Sequence, residues 1–171
     1  MTREQPTGLA LRAPTPADTD FIVAYRTDPT IAQAEGRDPA PTRAAATAFL
    51  TRLLAGEAAG TSRTWFLIVD DRAVGMIGLW GYTADRTRCE LAYGLLPAYQ
   101  GRGLMGQALE TVCAQAFARD PLVALDCYTA STNLPSRRLL EAHGFTLAET
   151  LREPDQTGRE VTMVRYQRPR P

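Results

Sequence analysis

The chain of 171 residues contains no lysine, so all nineteen of its basic residues are arginine. The side-chain amine most open to acylation is therefore missing from the protein itself. Charge of one sign is missing too: nineteen acids balance the arginines, the net charge is +0 and the sequence pI is about 6.6. No strong field marks a nucleic-acid or anionic-membrane partner, and an anionic ligand must be held by local chemistry. The three cysteines, Cys89, Cys113 and Cys127, are an odd number without a CxxC pair. This excludes a secreted disulfide framework and fits small apolar residues in a reducing cytoplasm. No apolar run approaches membrane-spanning length, and the opening stretch MTREQPTGLA has charges of both signs without a signal-peptide core. A cytoplasmic protein is the expectation. A single histidine, His143, lacks partners in pattern, so no metal site is expected.

What is present is enough for one core. At 44% hydrophobic residues, the length suits a single domain over residues 1–171. Residues 9–12 read as a short strand, followed by a helix with Thr15 as N-cap, Pro16 in its first turn and Asp18 as the capping-box acid. Phe21, Ile22 and Tyr25 form its buried stripe. Thr42 caps a second helix carrying Ala46, Phe49, Leu50, Leu53 and Leu54 at helical spacing, which Gly56 is expected to end. The intervening IAQAEGRDPAP reads as loop. From Thr64 the period becomes two: WFLIV, AVGMIGLWGY and RCELAYGL, joined by short turns, predict an antiparallel meander. Helical spacing returns after Gly103, and the strand LVALDCYT follows, so a βαβ crossover with parallel strands is expected. Asn133 or Ser131 caps a last helix over residues 135–142, closed by Gly144. FTLAETLRE and EVTMVRYQR make a terminal hairpin, and the tail RPRP is expected to fray. The order gives an α/β (α+β) fold: a mixed, mostly antiparallel sheet with one parallel pair and about four helices.

The stretch YQGRGLMGQAL, residues 99–109, holds two glycine patterns. Gly101, Gly103 and Gly106 spell GxGxxG, and Asp126 stands about twenty residues on, where a dinucleotide's ribose would find an acid. Against an NAD(P)-dependent oxidoreductase, four residues intervene between strand and loop, an antiparallel meander precedes it, and Asp126 falls inside a strand. Read from Gln100, the same stretch is the start of an acyl-coenzyme A pyrophosphate loop. Two glycines let the backbone wrap phosphate oxygens, the following helix offers free N–H donors, and Arg102 adds charge at the rim.

With LALRAPTPADTDFIVAYRTDP, GMIGL, RCELAYGLLPAYQGRGLMGQAL and NLPSRRLLEAHGF in this order, the chain resembles the GNAT superfamily of N-acetyltransferases, most closely its RimJ/RimL-like, ribosomal-protein N-acetyltransferase branch. The resemblance implies that ELAYGLL splays from LVALDCYT and that the gap takes the pantetheine arm of acetyl-CoA, bonded to backbone at Tyr93, Gly94 and Leu95. It implies a pyrophosphate on the loop of Gln100, Gly101, Arg102, Gly103, Leu104, Met105 and Gly106. It places Asn133 at the pantetheine and Ser136 facing the thioester sulfur. Two positions depart from the pattern: Met105 replaces the usual small residue, and Leu140 replaces a tyrosine that protonates the leaving thiolate. Ser136 is then left as the candidate acid, and a thiolate with a pKa of about 8 to 9 also leaves without full protonation. Self-acetylation is confined to the N-terminus.

Transfer to an amine needs a base, and Glu90 is the candidate, on the central strand with the small Ala92 and Gly94 on its side. The competing expectation is a structural Glu90 paired with Arg86, Arg88 or an arginine from a neighbouring strand. Tyr128 is a second candidate for acid or water-positioning work. Cys127 has no histidine in register and reads as structural. Trp65, Phe66, Trp80 and Tyr82 divide between core and acceptor pocket, and Glu35, Arg37 and Asp38 form a loop that either touches the acceptor or is merely solvated. The expected activity is acetyl transfer from acetyl-CoA to a primary amine, either a protein or peptide α-amine or a small molecule. The protein is expected as monomer or homodimer, without nucleic-acid or membrane partners. A non-catalytic acyl-CoA sensor is the alternative.

Overall fold

A computed structural model describes residues 8–171; the opening residues 1–7, on which the reading of the N-terminus partly rests, lie outside it. The elements are β1 (Ala10–Arg12), α1 (Thr19–Thr27), α2 (Pro29–Ala34), α3 (Arg43–Ala59), β2 (Arg63–Val69), β3 (Arg72–Trp80), β4 (Arg88–Leu95), α4 (Leu104–Arg119), β5 (Ala124–Ala130), α5 (Leu134–Ala142), β6 (Thr146–Pro154) and β7 (Glu160–Pro169). The strands form one seven-stranded sheet in the order β1-β2-β3-β4-β5-β7-β6, with β4 and β5 the parallel pair. Both faces are packed. On one, α4 and α5 bury Leu104, Leu109, Val112 and Leu140 against Leu79, Leu91 and Leu125; on the other, α1 and α3 bury Phe21, Ile22 and Leu50 around Phe66.

The expected order of elements is present, and four details differ. Five helices flank the sheet instead of about four, because Asp28 accepts from the Ile31 amide and Pro29 opens a short helix inside the segment read as loop. Gly56 does not end α3. The helix continues through Glu57, Ala58 and Ala59 to Gly60, whose φ of 68° supplies the left-handed cap. The helix predicted at Thr15 begins as a 3-10 turn, Pro16–Asp18, with Asp18 accepting from the Thr15 amide at 2.7 Å and from Arg12 at 2.6 and 2.8 Å. The tail is docked: Arg170 donates to the carbonyls of Phe117, Asp120 and Leu122, each at 2.7 Å, tying the chain end to the carbonyl end of α4.

Candidate active site

The site is made by a failure of pairing. β4 and β5 share three register pairs, Arg88 with Ala124, Cys89 with Leu125 and Glu90 with Asp126, and then separate. On its other side β4 stays bonded to β3 as far as Leu95. Beyond Glu90 the β5-facing edge of β4 therefore runs unpaired past Tyr93, Gly94 and Leu95, and an extended ligand can complete it as a strand would.

At the wide end of this gap, Gly101 and Gly103 take φ of 74° and 75°, and a Cβ at either would meet nothing within 4 Å. Glycine is needed there for the left-handed backbone, and the space over the loop is open. Gly103 is the N-cap of α4, so the amides of Leu104, Met105 and Gly106 have no acceptor inside the helix and, with the dipole, favour an anion. The side chain of Met105 is buried in the core, which explains how a large residue is accommodated in this turn. Gly106 has a different task from its neighbours: a Cβ would lie 2.7 Å from His143 Nε2, so it admits the end of α5 against α4. There His143 bonds Glu110 through Nδ1 at 2.8 Å. Gln100 and Arg102 turn back onto their own loop, donating to the Leu95 and Ala98 carbonyls; they brace it. Asn133 caps α5 through Oδ1, accepting from the Ser136 amide at 3.2 Å.

The side chains lining the gap divide between the two sheet faces. Tyr93 points to the α4 side, where its hydroxyl lies 2.7 Å from Ser136 Oγ. Burial raises this phenol well above its ordinary range, with Cys127 adding to the shift and the Ser136 bond opposing it. Cys127 is itself buried and its thiol pushed up, which suits packing and not nucleophilic work. Leu140 is fully buried. No sequence signal singled out the Tyr93 hydroxyl, because its partner is 43 residues away.

Glu90, Ala92 and Gly94 point the other way. Glu90 makes no hydrogen bond or ion pair among the described residues; Arg88 and Arg165 both bind Asp126 instead, at 2.6 and 2.9 Å, and Arg86 reaches Asp120 at 3.8 Å. The structural pairing considered for Glu90 is thus absent. Partial burial raises its carboxyl above the usual range, and the neighbouring charges of Asp126 and Glu153 push the same way. Trp80, 51% exposed, stands opposite Glu90 in the β3 register, and Tyr128, 37% exposed, lies along β5 on the same side of the sheet. Of the other aromatics, Trp65 and Phe66 are core, while Tyr82 bonds Asp120. Asp126, 8% exposed and clamped mid-strand by two arginines, is unavailable to a ribose, and the sheet lacks the repeated parallel units of a dinucleotide fold.

Of the loop expected to touch the acceptor or be solvated, Asp38 is exposed, Glu35 is half-buried and Arg37 is buried. Glu35 accepts from Tyr25 Oη at 2.6 Å and from Arg37 Nε, and Arg37 is 6% exposed. Tyr25 in turn presses on Gly94, whose missing Cβ would lie 1.7 Å from the hydroxyl oxygen. The hairpin turn after β6 bonds this loop, Gln156 N–H to Gly36 O at 2.8 Å, and so bridges across the Glu90 face. Among the described residues no group of three His, Cys, Asp or Glu is placed to hold a metal, and no helix is long and apolar enough to cross a membrane.

A family model described as an acetyltransferase (GNAT) domain matches residues 9–146. The chain belongs to the GNAT acetyltransferase family. As a GNAT protein it is an acyl-CoA-dependent N-acetyltransferase, and the open gap, left-handed glycines and free helix amides fit its acetyl-CoA co-substrate. Solved structures agree in fold. A RimL ribosomal L7/L12 α-N-protein acetyltransferase in complex with coenzyme A is 15% identical, with a TM-score of 0.87 over 98% of this chain and 97% of that one. A spermidine N-acetyltransferase from Vibrio cholerae, in complex with CoA and spermine, is 18% identical, with a TM-score of 0.82 over 94% and 95%. A microcin C7 self-immunity acetyltransferase in complex with acetyl-CoA and AMP is 13% identical, with a TM-score of 0.86 over 96% and 93%. A sequence search of curated proteins found no match.

Proposed function

We propose that this chain, acting as a single domain, acetylates a protein or peptide α-amine, with Glu90 as general base. The observation that carries the reading is the half-buried, unpaired Glu90 carboxylate, placed where β4 and β5 part. The pantetheine arm lies along Tyr93, Gly94 and Leu95, near Asn133, and the pyrophosphate rests on the amides of residues 101–106. Glu90 takes a proton from the arriving ammonium, directly or through water, and the freed nitrogen attacks the thioester carbon. Ser136 assists the leaving sulfur from the opposite face, while Tyr128 borders the acceptor.

The charge pattern favours an α-amine over a polyamine. The acids Glu35, Asp126 and Glu149 already have arginine partners. With these three spent on arginine, they offer the further cations of a polyamine no free carboxylate. The polar row of Arg165, Gln167 and Glu149 offers donors and acceptors to a peptide beyond the amine.

The test is a panel of short peptides with free N-termini, N-blocked lysine peptides, small monoamines and polyamines, each incubated with acetyl-CoA and read by mass spectrometry. Turnover of the free-N-terminal peptides supports the proposal. Turnover of polyamines alone overturns the acceptor class. Tight acetyl-CoA binding without turnover of any amine overturns the catalytic reading in favour of a sensor. The reading also places the protein in the cytoplasm, where acetyl-CoA and free N-termini meet.

A further inference from the structure

The contact between Tyr93 and Ser136 joins a central strand to a helix across the mouth of the gap, and nothing in the fold requires it. We propose that Tyr93 is a positioning residue for acetyl transfer: its hydroxyl donates to Ser136 Oγ and so aims the Ser136 proton at the departing sulfur. The inference rests on the reading above that Ser136 faces the thioester.

Two observations favour Tyr93 as the donor in this bond. The Tyr93 hydroxyl has polar neighbours only on Ser136 among the described residues, Oγ at 2.7 Å and the backbone carbonyl at a marginal 3.5 Å. Of the two acceptors within its reach, Oγ is the one with good geometry. The serine hydroxyl has a free rotor, and in the first turn of a helix it ordinarily turns back to a carbonyl one turn earlier. Ser136 makes no such bond; its only side-chain contact among the described residues is Tyr93. With one lone pair occupied by the tyrosine proton, the serine's own hydrogen points away from Tyr93 and toward the gap. The raised affinity of the buried phenol for its proton keeps Tyr93 a donor at every working pH.

The step needs no proton from either hydroxyl. The amine nitrogen's lone pair forms the C–N bond, the C–S bond breaks with its electron pair leaving on sulfur, and the acylated nitrogen gives up its surplus proton to water. The Ser136 O–H stabilises that thiolate by a hydrogen bond, and the sulfur later takes its proton from water. Leu140 leaves no phenol at the position where the family resemblance expected one, so an oriented serine supplies the contact instead.

The test is a double-mutant cycle of Tyr93→Phe and Ser136→Ala, read as the single-turnover acetylation rate and the acetyl-CoA dissociation constant, with Tm for the fold. Ser136→Ala is expected to lower the rate about tenfold, and Tyr93→Phe about three- to fivefold with acetyl-CoA affinity within twofold. The double variant should match Ser136→Ala, because a residue acting only through Ser136 has nothing left to aim. An unchanged rate in Ser136→Ala overturns the assignment of Ser136 itself. A lowered rate there, with Tyr93→Phe either silent or multiplying fully with Ser136→Ala, overturns the role of Tyr93 and leaves that of Ser136 standing. Should Tyr93→Phe lose its fold, a tyrosine fluorinated beside the hydroxyl keeps the packing and donates more strongly. It is expected to raise the rate, and a lowered rate overturns the proposal.

Discussion

Glu90 and Asp126 occupy the same register position on adjacent strands and face the same side of the sheet, yet the first half of β4 and its neighbour β5 set them in opposite surroundings. Asp126 draws in both nearby arginines. Glu90, beside it, receives neither. Arg88 is two residues from Glu90 on one strand and still reaches across to β5. Burial raises the proton affinity of Glu90, the negative charge of Asp126 adds to it, and both arginines turn to Asp126 instead of offsetting the shift. One carboxylate holds the strands where they pair, and the other is left without a partner among the described residues where they part.

The sharpest way to break this comparison is to neutralise each acid in turn. Glu90→Gln is expected to lower kcat/KM by about 100-fold or more, the scale of a lost general base. In the wild type, activity should fall with decreasing pH around a midpoint above the ordinary glutamate value, since the working form is the carboxylate and its pKa is raised. The glutamine variant should lack that limb. Stability carries the opposite sign: a raised carboxyl stabilises the fold only below its unfolded pKa and loses that contribution as pH rises through the folded value. Glu90→Gln should therefore be no less stable than wild type at pH 7, as a thermal scan would show. A clear drop in Tm with little change in rate would make Glu90 structural.

Asp126→Asn should do the reverse. It strands Arg88 and Arg165, which are 34% and 20% exposed and so partly relieved by water. A loss of about 2 kcal/mol is expected, less than for a fully buried pair. In a domain of this size that lowers Tm by roughly 4 to 8 °C. Acetyl-CoA affinity should stay within a few-fold, and because the freed guanidiniums can reach Glu90, its acid limb should shift to lower pH. If the limb stays put, the charge competition between the two acids is not what sets Glu90.

Much of this arrangement was legible in the residues. The change from period two to helical spacing located the meander and α4, the order of elements located the parallel pair, and Asn133 stood where a cap was needed. Strand alternation also put Glu90, Ala92 and Gly94 on one side. What could not be read were choices among equivalent signals. Gly56 and Gly60 both offer a helix end, and only the three-dimensional path of α3 selects the second. Arg86 and Arg88 flank Glu90 in sequence, but sheet register hands Arg88 to a residue 38 positions away. The segment after Asp28 carries too short an apolar stripe to reveal α2, and Arg170 gains its partners only because β7 is inserted between β5 and β6.

The far half of β4 offers the smaller test. Gly94 lies where the strand is free of β5, and its missing side chain is filled by Tyr25, which ties α1 and the loop at Glu35 to the sheet. A methyl at Gly94 would sit 1.7 Å from the Tyr25 hydroxyl oxygen and 2.8 Å from its ring carbon. The ring end is rigid and the residue is 1% exposed, so the helix must move outward. Gly94→Ala should lower stability by about 1 to 2 kcal/mol. It should also raise the acceptor KM several-fold while leaving the acid limb of Glu90 in place, because Asp126 and its arginines are untouched. Combining it with Tyr25→Phe removes the closest clash, so the pair should be less destabilised than the sum of the single changes. Simple additivity in that cycle would mean that the loop at Glu35 is held by Glu35 and Arg37 alone, and that the free half of β4 does not position it.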